Sequence, residues 1–137
     1  HRGDRIIVLR VQDGALVNAL QRRAAVVLQK SIREGFGMTV SEAMWKGAAV
    51  IGGNVGGIRY QIRDGENGFL VSSVDEAAER IVRLLRDPGL AERLGHAAHE
   101  TVRECFLFTR TIEQYLDLIG SFEPEFRMSG NVGSPCR

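Results

Sequence analysis

Cysteine and proline are scarce in this chain of 137 residues, which has two of the first and three of the second. Cys105 and Cys136 are too few for a disulfide framework or a cysteine-rich metal cluster, so the sequence predicts neither and favours a reducing, cytoplasmic setting. No apolar run approaches the roughly 20 residues of a membrane-spanning helix, which argues against a membrane span.

An excess of charge of either sign is also lacking. Eighteen basic and seventeen acidic residues leave a formal net charge of +1, which argues against nucleic acid as a partner because proteins that bind it carry basic patches. His96 and His99 lie three residues apart in a helical pattern, with no further ligand type clustered around them, so we interpret them as part of a solvated helix face. The sequence predicts no metal site and no bound cofactor.

Short β-branched apolar runs alternate with helical patterns in the first half of the chain. Four such runs predict strands: Arg5–Arg10, Ala25–Leu28, Ala49–Gly52 and Phe69–Val71. This alternation predicts an α/β fold in which helices cover both faces of a parallel sheet. Because the common dinucleotide-binding order has six strands, and because the N-terminus has neither an initiator Met nor a signal-peptide core, we expect the chain to begin inside a longer protein.

The second half of the chain has a helical pattern throughout. Ser73–Glu76 forms a capping box that starts one helix, and Asp87-Pro88-Gly89 ends it. A further helix follows, and Thr109–Phe122 forms the last one, with an apolar stripe. The polar, Gly-containing segment after it predicts a flexible tail at residues 123–137, so the predicted domain spans residues 1–122 as an incomplete Rossmann-like sheet with flanking helices and a C-terminal helical segment.

Glycine is concentrated in one region, since nine of the sixteen glycines lie between Gly35 and Gly68. Three Gly-rich loops, at residues 35–37, 52–57 and 64–68, are predicted at the carboxyl ends of strands, where ligands of open parallel sheets bind. Glycine permits close approach of the backbone to a ligand. A helix that starts near Thr39 would direct free N–H groups at an anion, and a pyrophosphate fits such a site.

Two carboxylates flank the first of these loops. Glu34 lies among residues that leave only Lys30, Arg33 or a ligand to pair with it, and a carboxylate there can accept hydrogen bonds from sugar hydroxyls. Glu42 lies in the first turn of the helix predicted after the loop, where Thr39 and Glu42 fit a capping box. The alternative role for Glu42 is to bind a vicinal diol, such as the 2′ and 3′ hydroxyls of a ribose, and the two roles share one location.

The segment Glu34–Glu42 reads Glu-Gly-Phe-Gly-Met-Thr-Val-Ser-Glu and is followed by Ala43-Met44 and Gly47. It resembles the E-x7-E signature of retaining glycosyltransferases of the two-Rossmann (GT-B) type, in the large family 4. The family's next segments are matched by Ala49-Val50-Ile51, Val55-Gly56-Gly57 and Asp64–Val71. The resemblance covers about residues 5 to 120 and implies the C-terminal, donor-binding half of a GT-B fold.

A narrower resemblance is carried by three segments, Val17–Arg22, Val27–Glu34 and Glu42–Gly47. They are similar to trehalose synthases of the glycosyltransferring type, which join nucleotide-activated glucose to free glucose. The resemblance thus implies ADP- or UDP-glucose as donor substrate and a sugar, glucose above all, as acceptor.

The resemblance also implies the roles of individual residues. Glu34 is the implied catalytic residue, contacting the donor sugar hydroxyls, and Glu42 binds the ribose. Attack on the face from which the leaving group departs would give retention, with catalysis resting on positioning and on stabilising the departing diphosphate. The implied donor-binding residues, which contribute backbone amides at the middle four positions, are Gly35, Phe36, Gly37, Met38, Thr39 and Glu42.

In this family the acceptor domain and the phosphate-contacting Arg and Lys precede the matched region. We therefore expect the chain alone to bind part of a donor without turnover, and the acceptor to bind through an N-terminal domain. The apolar stripe of Thr109–Phe122, or an open sheet edge, is expected to promote self-association.

Three alternative functions compete with this one. A glycosidase needs both carboxylates to flank one bond, for which a capping Glu42 is poorly placed. Another family 4 hexosyltransferase and a non-catalytic sugar-nucleotide sensor both stay open, since their binding residues would look the same.

Overall fold

The computed structural model describes residues 6–10 and 12–122. The described residues form three strands and six helices, which in chain order are α1 Gly14–Arg23, β1 Val27–Gln29, α2 Met38–Trp45, β2 Val50–Gly53, α3 Ile58–Gln61, β3 Phe69–Val71, α4 Val74–Arg86, α5 Pro88–Cys105 and α6 Phe108–Phe122. The segment predicted as a flexible tail, residues 123–137, lies outside the described residues.

The three strands form one parallel sheet in the order β1-β2-β3. Val27 pairs with Val50, and Ile51 pairs with Phe69, so each strand is in register with its neighbour. Because the strands run in one direction, their carboxyl ends lie at one edge of the sheet. The predicted α/β class is confirmed, as are the last three predicted strands to within two residues.

The first predicted strand, Arg5–Arg10, is wrong for the residues that the structure describes. Residues 6–10 have no regular secondary structure, and Ile6, Ile7 and Val8 are more than three-quarters exposed. A strand needs a hydrogen-bonding neighbour, and in the common six-strand order the third strand lies beside the second, away from the last three. The described strands β1 to β3 therefore offer this apolar run no adjacent partner.

Apolar side chains on the two faces of the sheet form two separate clusters. Val50 and Ile51 are adjacent in β2 and fully buried, but they belong to different clusters because side chains alternate along a strand. One cluster contains residues of α2 and α3, including Met44 and Ile58. The other contains Phe69 together with residues of α4 and α5. The predicted coverage of both faces is confirmed.

The predicted helix boundaries around α4 and α5 are confirmed. The Ser73 hydroxyl accepts a hydrogen bond from the Glu76 amide at 3.1 Å, and the Glu76 carboxylate accepts one from the Ser72 amide at 2.7 Å. Asp87 ends α4 and also starts α5, where its carboxylate accepts from the Leu90 amide at 2.9 Å. Pro88 at the first position of α5 fixes φ without removing a needed donor.

Two other features concern the end of the chain. Cys105, the last residue of α5, is disulfide-bonded, a bond that the low cysteine count did not predict. Helix α6 has many exposed apolar side chains, among them Phe108, Tyr115 and Ile119 at 76, 63 and 57% exposure. No helix in the described part of the chain combines the length and the hydropathy that crossing a membrane requires.

Helix α5 approaches the backbone after α2 very closely. A Cβ atom added to Gly95 would lie 2.1 Å from the Gly47 carbonyl oxygen, so only glycine fits this contact. Gly47 itself has φ of 72°, the left-handed conformation that ends α2. The contact between α5 and α2 therefore depends on a pair of glycines.

Replacing Gly95 with alanine is expected to lower the free energy of unfolding by about 1–3 kcal/mol, the usual cost of overpacking. Gly89→Ala in the same helix is the matched control, because its added Cβ would meet no atom closer than 3.4 Å. This control should leave stability unchanged or raise it by up to about 1 kcal/mol. Chemical denaturation measures both, and equal stabilities for the two variants would contradict the packing argument.

Candidate functional site

Two loops meet at the carboxyl edge of the sheet. The first, residues 30–37 after β1, is called the Glu34 loop, and the second, residues 54–57 after β2, is called the glycine loop. The prediction that the third loop, Asp64–Gly68, lies at this edge is wrong. This loop precedes β3 and so lies at the amino end of that strand. It is a turn with Gly65 at φ of 79° and a hydrogen bond from the Gly65 amide to the Gly68 carbonyl at 2.8 Å.

The two loops touch backbone to backbone. A Cβ atom added to Gly56 would lie 1.8 Å from the Glu34 carbonyl oxygen, and one added to Gly57 would lie 2.4 Å from that of Gly35. The Gly57 amide donates a hydrogen bond to the Gly35 carbonyl at 2.6 Å. Any side chain at residues 56 or 57 would force the loops apart, so these glycines set the position of the Glu34 loop.

The Glu34 side chain is half-buried and held by neutral donors. Its Oε2 atom accepts from the Ser31 hydroxyl at 3.1 Å and lies 3.5 Å from the Gln29 amide nitrogen, which also donates to that hydroxyl at 2.9 Å. Its Oε1 atom accepts from the Gly35 amide at 3.2 Å. Of the three partners considered for Glu34, neither Lys30 nor Arg33 forms a salt bridge with it among the described residues, so a ligand is the one that is left.

Helix α2 begins at the end of the Glu34 loop. Gly37 is its N-cap, with φ of 84°, and no side chain caps it. The backbone N–H groups of Phe36, Gly37, Met38 and Thr39 donate to no described residue. Four successive unpaired amides at the positive end of a helix dipole suit an anionic ligand.

Glu42 does not have the predicted capping role. Thr39 lies inside α2 and not before it, and the cap position is taken by Gly37, because a left-handed residue at this turn favours glycine. The Glu42 side chain is exposed and forms no hydrogen bond or ion pair with a described residue. Its carboxylate is therefore available to a ligand, and the objection to a glycosidase that rested on capping no longer applies.

Sequence reasoning missed three polar residues around the loop. Gln29 and Ser31 hold the Glu34 carboxylate, and Gln61 of α3 donates its side-chain amide to the Phe36 carbonyl. Gln61 is 1% exposed, between the buried residues Ile58 and Ile62. The one available signal was the helical spacing of Gln61, three residues after Ile58, which places a polar side chain on the apolar face of the short helix that follows Gly56-Gly57.

The two histidines of α5 differ from each other. His96 is exposed, but His99 stacks on Trp45 with ring centroids 4.5 Å apart, and its Nδ1 atom lies 2.6 Å from the Trp45 carbonyl oxygen. The solvated-face interpretation is therefore wrong for His99, which packs α5 against α2. Among residues 6–10 and 12–122, no group of three or more possible metal ligands is found.

Gly56→Ala is expected to displace the Glu34 loop, since the added methyl group overlaps the Glu34 carbonyl. The expected loss of unfolding free energy is about 1–3 kcal/mol, accompanied by large changes in the amide NMR signals of residues 34–37. Gly14→Ala is the control, because nothing lies within 4 Å of its added Cβ. Unchanged amide signals for residues 34–37 in the Gly56 variant would refute the claim that Gly56 sets the position of the Glu34 loop.

Comparison with known proteins assigns the chain to a family. The pattern of the family described as "Glycosyl transferases group 1" matches residues 2–101. The chain is 54% identical over 105 residues to a trehalose synthase from Pyrococcus horikoshii, covering 77% of this chain and 25% of that protein. It is 48% identical over 102 residues to a trehalose synthase from Rubrobacter xylanophilus, covering 74% of this chain and 24% of that protein. The chain thus spans about a quarter of the length of these curated relatives.

Solved structures agree with the fold. The C-terminal domain of a glycosyl transferase group 1 family protein from Francisella tularensis is 27% identical, with a TM-score of 0.68 over 74% of this chain and 53% of that one. The Anabaena protein HepE, solved in complex with UDP, is 25% identical, with a TM-score of 0.69 over 74% of this chain and 29% of that one. The fold is confirmed as the C-terminal half of a GT-B fold, and the chain belongs to the group 1 family of glycosyltransferases.

Proposed function

We propose that this chain is the donor-binding part of a retaining glycosyltransferase that transfers glucose from a nucleotide-glucose to a sugar acceptor. The observation that carries the proposal is the row of four amides, Phe36 to Thr39, which donate to no described residue, beside the Glu34 carboxylate, which has no salt-bridge partner in the described part of the chain. Amides at a helix N-terminus suit a diphosphate, and a carboxylate suits sugar hydroxyls. One loop therefore offers complementary chemistry to the two halves of a nucleotide sugar.

The proposal assigns a role to each residue of the site. Glu34 accepts hydrogen bonds from the hydroxyls of the donor sugar, oriented by Ser31 and Gln29 from behind. The amides of residues 36–39 bind the diphosphate and stabilise the charge that develops on it as the glycosidic bond breaks. Glu42, which has no partner in the described part of the chain, binds the ribose hydroxyls. Gly35 lets the ligand approach the backbone closely, because it has no side chain and no described atom lies within 4 Å of its Cβ position.

The reaction proposed for the full-length protein is transfer with retention. The acceptor hydroxyl attacks the anomeric carbon on the face from which the nucleoside diphosphate departs, and the departing phosphate oxygen takes the hydroxyl proton. Catalysis then rests on positioning and on stabilisation of the leaving group. The acceptor binds to parts of the protein beyond this chain, which alone is expected to bind donor without turnover.

Glucose as acceptor, with trehalose as product, is the specific form of the proposal. It is supported by the identity of about half of the matched residues to trehalose synthases. A UDP-linked donor is supported by HepE, which was solved in complex with UDP, and an ADP-linked donor is the alternative. Transfer of labelled glucose from each donor by the full-length protein decides between them, and donor binding without transfer would indicate a sensor.

Glu34→Gln and Glu42→Gln are expected to separate sugar binding from nucleotide binding. Loss of the Glu34 charge should weaken binding of UDP-glucose by about tenfold or more while leaving UDP unchanged, because hydrogen bonds to a charged group are the stronger ones. Loss of the Glu42 charge should weaken UDP and UDP-glucose alike. NMR titration of the chain measures both dissociation constants.

Glu92→Gln is the matched control, since Glu92 is exposed on α5, outside the two loops, and forms no salt bridge with a described residue. It should bind both ligands as the unaltered chain does. An equal loss of UDP and UDP-glucose binding in Glu34→Gln would contradict the assignment of Glu34 to the sugar.

Self-association of the chain is also proposed, through the exposed apolar side chains of α6. Leu116 and Ile119 are 55 and 57% exposed, and contiguous apolar surface of this kind favours association. The mass from light scattering should rise with concentration for the unaltered chain, and less so for the double variant Leu116→Glu, Ile119→Glu. A monomeric mass at all concentrations would refute the proposal.

A further inference from the structure

Gln61 lies directly behind the row of free amides. It is the last residue of α3 and is 1% exposed. Its side-chain nitrogen donates to the Phe36 carbonyl and lies 3.5 Å from the Gly37 carbonyl. One buried amide thus holds two consecutive peptide units at the start of α2.

Because the peptide unit is planar, a contact that holds a carbonyl group also fixes the direction of the next N–H group. In a trans peptide unit the N–H of one residue points opposite to the C=O of the residue before it, and no cis peptide occurs in the described residues. Holding the Phe36 carbonyl therefore directs the Gly37 N–H away from Gln61. The Gly37 carbonyl also accepts from the Val40 amide at 2.9 Å, so Gln61 and the first turn of α2 together direct the Met38 N–H away from Gln61.

Gln61 is itself held firmly on the side away from the loop. Its backbone carbonyl accepts from the Asn67 side-chain amide at 3.1 Å, and Asn67 also donates to the Thr101 hydroxyl at 3.0 Å. Thr101 belongs to α5 and donates to the Ala97 carbonyl at 2.8 Å. A buried polar chain therefore connects α5, through Asn67 and Gln61, to the Glu34 loop.

Stability alone does not account for a glutamine at this position. The Gln61 Oε1 atom is buried and has no hydrogen-bond partner among the residues that the structure describes. A buried acceptor without a partner destabilises the folded state, and such an atom calls for an explanation in function. An apolar side chain of similar volume would avoid this cost, but it would leave the Phe36 carbonyl without a donor among the described residues.

We propose that Gln61 is a positioning residue that orients the Gly37 and Met38 amides toward the diphosphate of the nucleotide sugar. The inference rests on the proposed function and extends it to a residue that does not touch the ligand. It distinguishes Gln61 from Gln29, which acts on the Glu34 carboxylate and so on the sugar. Loss of Gln61 should therefore weaken binding of UDP as well as UDP-glucose.

The test compares the amide NMR spectra and UDP affinity of the chain with those of Gln61→Leu. We expect the Gly37 and Met38 signals to move in the free protein, and the dissociation constant for UDP to rise about tenfold, the effect of losing well-oriented donors to a charged group. Gln21→Leu is the matched control, since Gln21 is also buried but hydrogen-bonds Lys46, outside the two loops. It should leave both readouts unchanged.

Each outcome decides between separate claims. If the unaltered chain binds neither UDP nor ADP, the proposed function fails and the inference fails with it. If the unaltered chain binds UDP and Gln61→Leu binds it equally well with unmoved Gly37 and Met38 signals, only the inference is overturned. Should Gln61→Leu not fold, Gln61→Met, which keeps an unbranched side chain of similar length, replaces it. Unfolding of both variants would assign Gln61 to stability and overturn its positioning role.

Discussion

The backbone contact between the two loops is the constraint on which the site depends. Gly56 and Gly57 approach Glu34 and Gly35 so closely that no side chain fits between them. This contact fixes the position of the Glu34 loop at the carboxyl edge of the sheet, and with it the position at which α2 starts. The orientation of the Glu34 carboxylate and the direction of the free amides both follow from where that loop is placed.

The site combines a rigid support with an open front. Behind the loop lie Ile58, whose side chain would meet a Cβ on Gly37 at 2.9 Å, and the Gln61 amide. In front lie unpaired N–H groups and two carboxylates without salt-bridge partners in the described ranges. Donors held in advance cost little reorganisation when charge develops on a leaving group. The arrangement thus suits electrostatic stabilisation better than nucleophilic attack by a side chain.

Much of this fold could be predicted from local sequence patterns. The runs at Val50 and Phe69 are β-branched or aromatic and bounded by glycine, so their strands were predicted closely. The run at Ile6 has the same local character, yet it forms no strand, because pairing depends on neighbours that local sequence does not reveal. The capping of α2 was mispredicted for a related reason, since Thr39 to Glu42 matches a capping pattern while Gly37 takes the cap.

Contacts between distant parts of the chain explain what was missed in the site. Glu34 and the glycine loop stood out as motifs, but their partners did not. Gln61 is 25 residues from Phe36 along the chain, so only the packing of α3 under the loop brings them together. Ser31 is close to Glu34 in sequence, but its hydroxyl becomes informative only when the loop conformation turns it toward the carboxylate.

Helix α5 contributes side chains to the apolar clusters on both faces of the sheet. Its first half contributes Leu90 and Leu94 to one apolar cluster, and its second half contributes Ala98 and Val102 to the other. A helix shared in this way couples the two layers thermodynamically, since detaching it exposes both at once. Local opening of either layer is thus resisted by the other, and the Glu34 loop is tied to this shared helix through Gln61, Asn67 and Thr101.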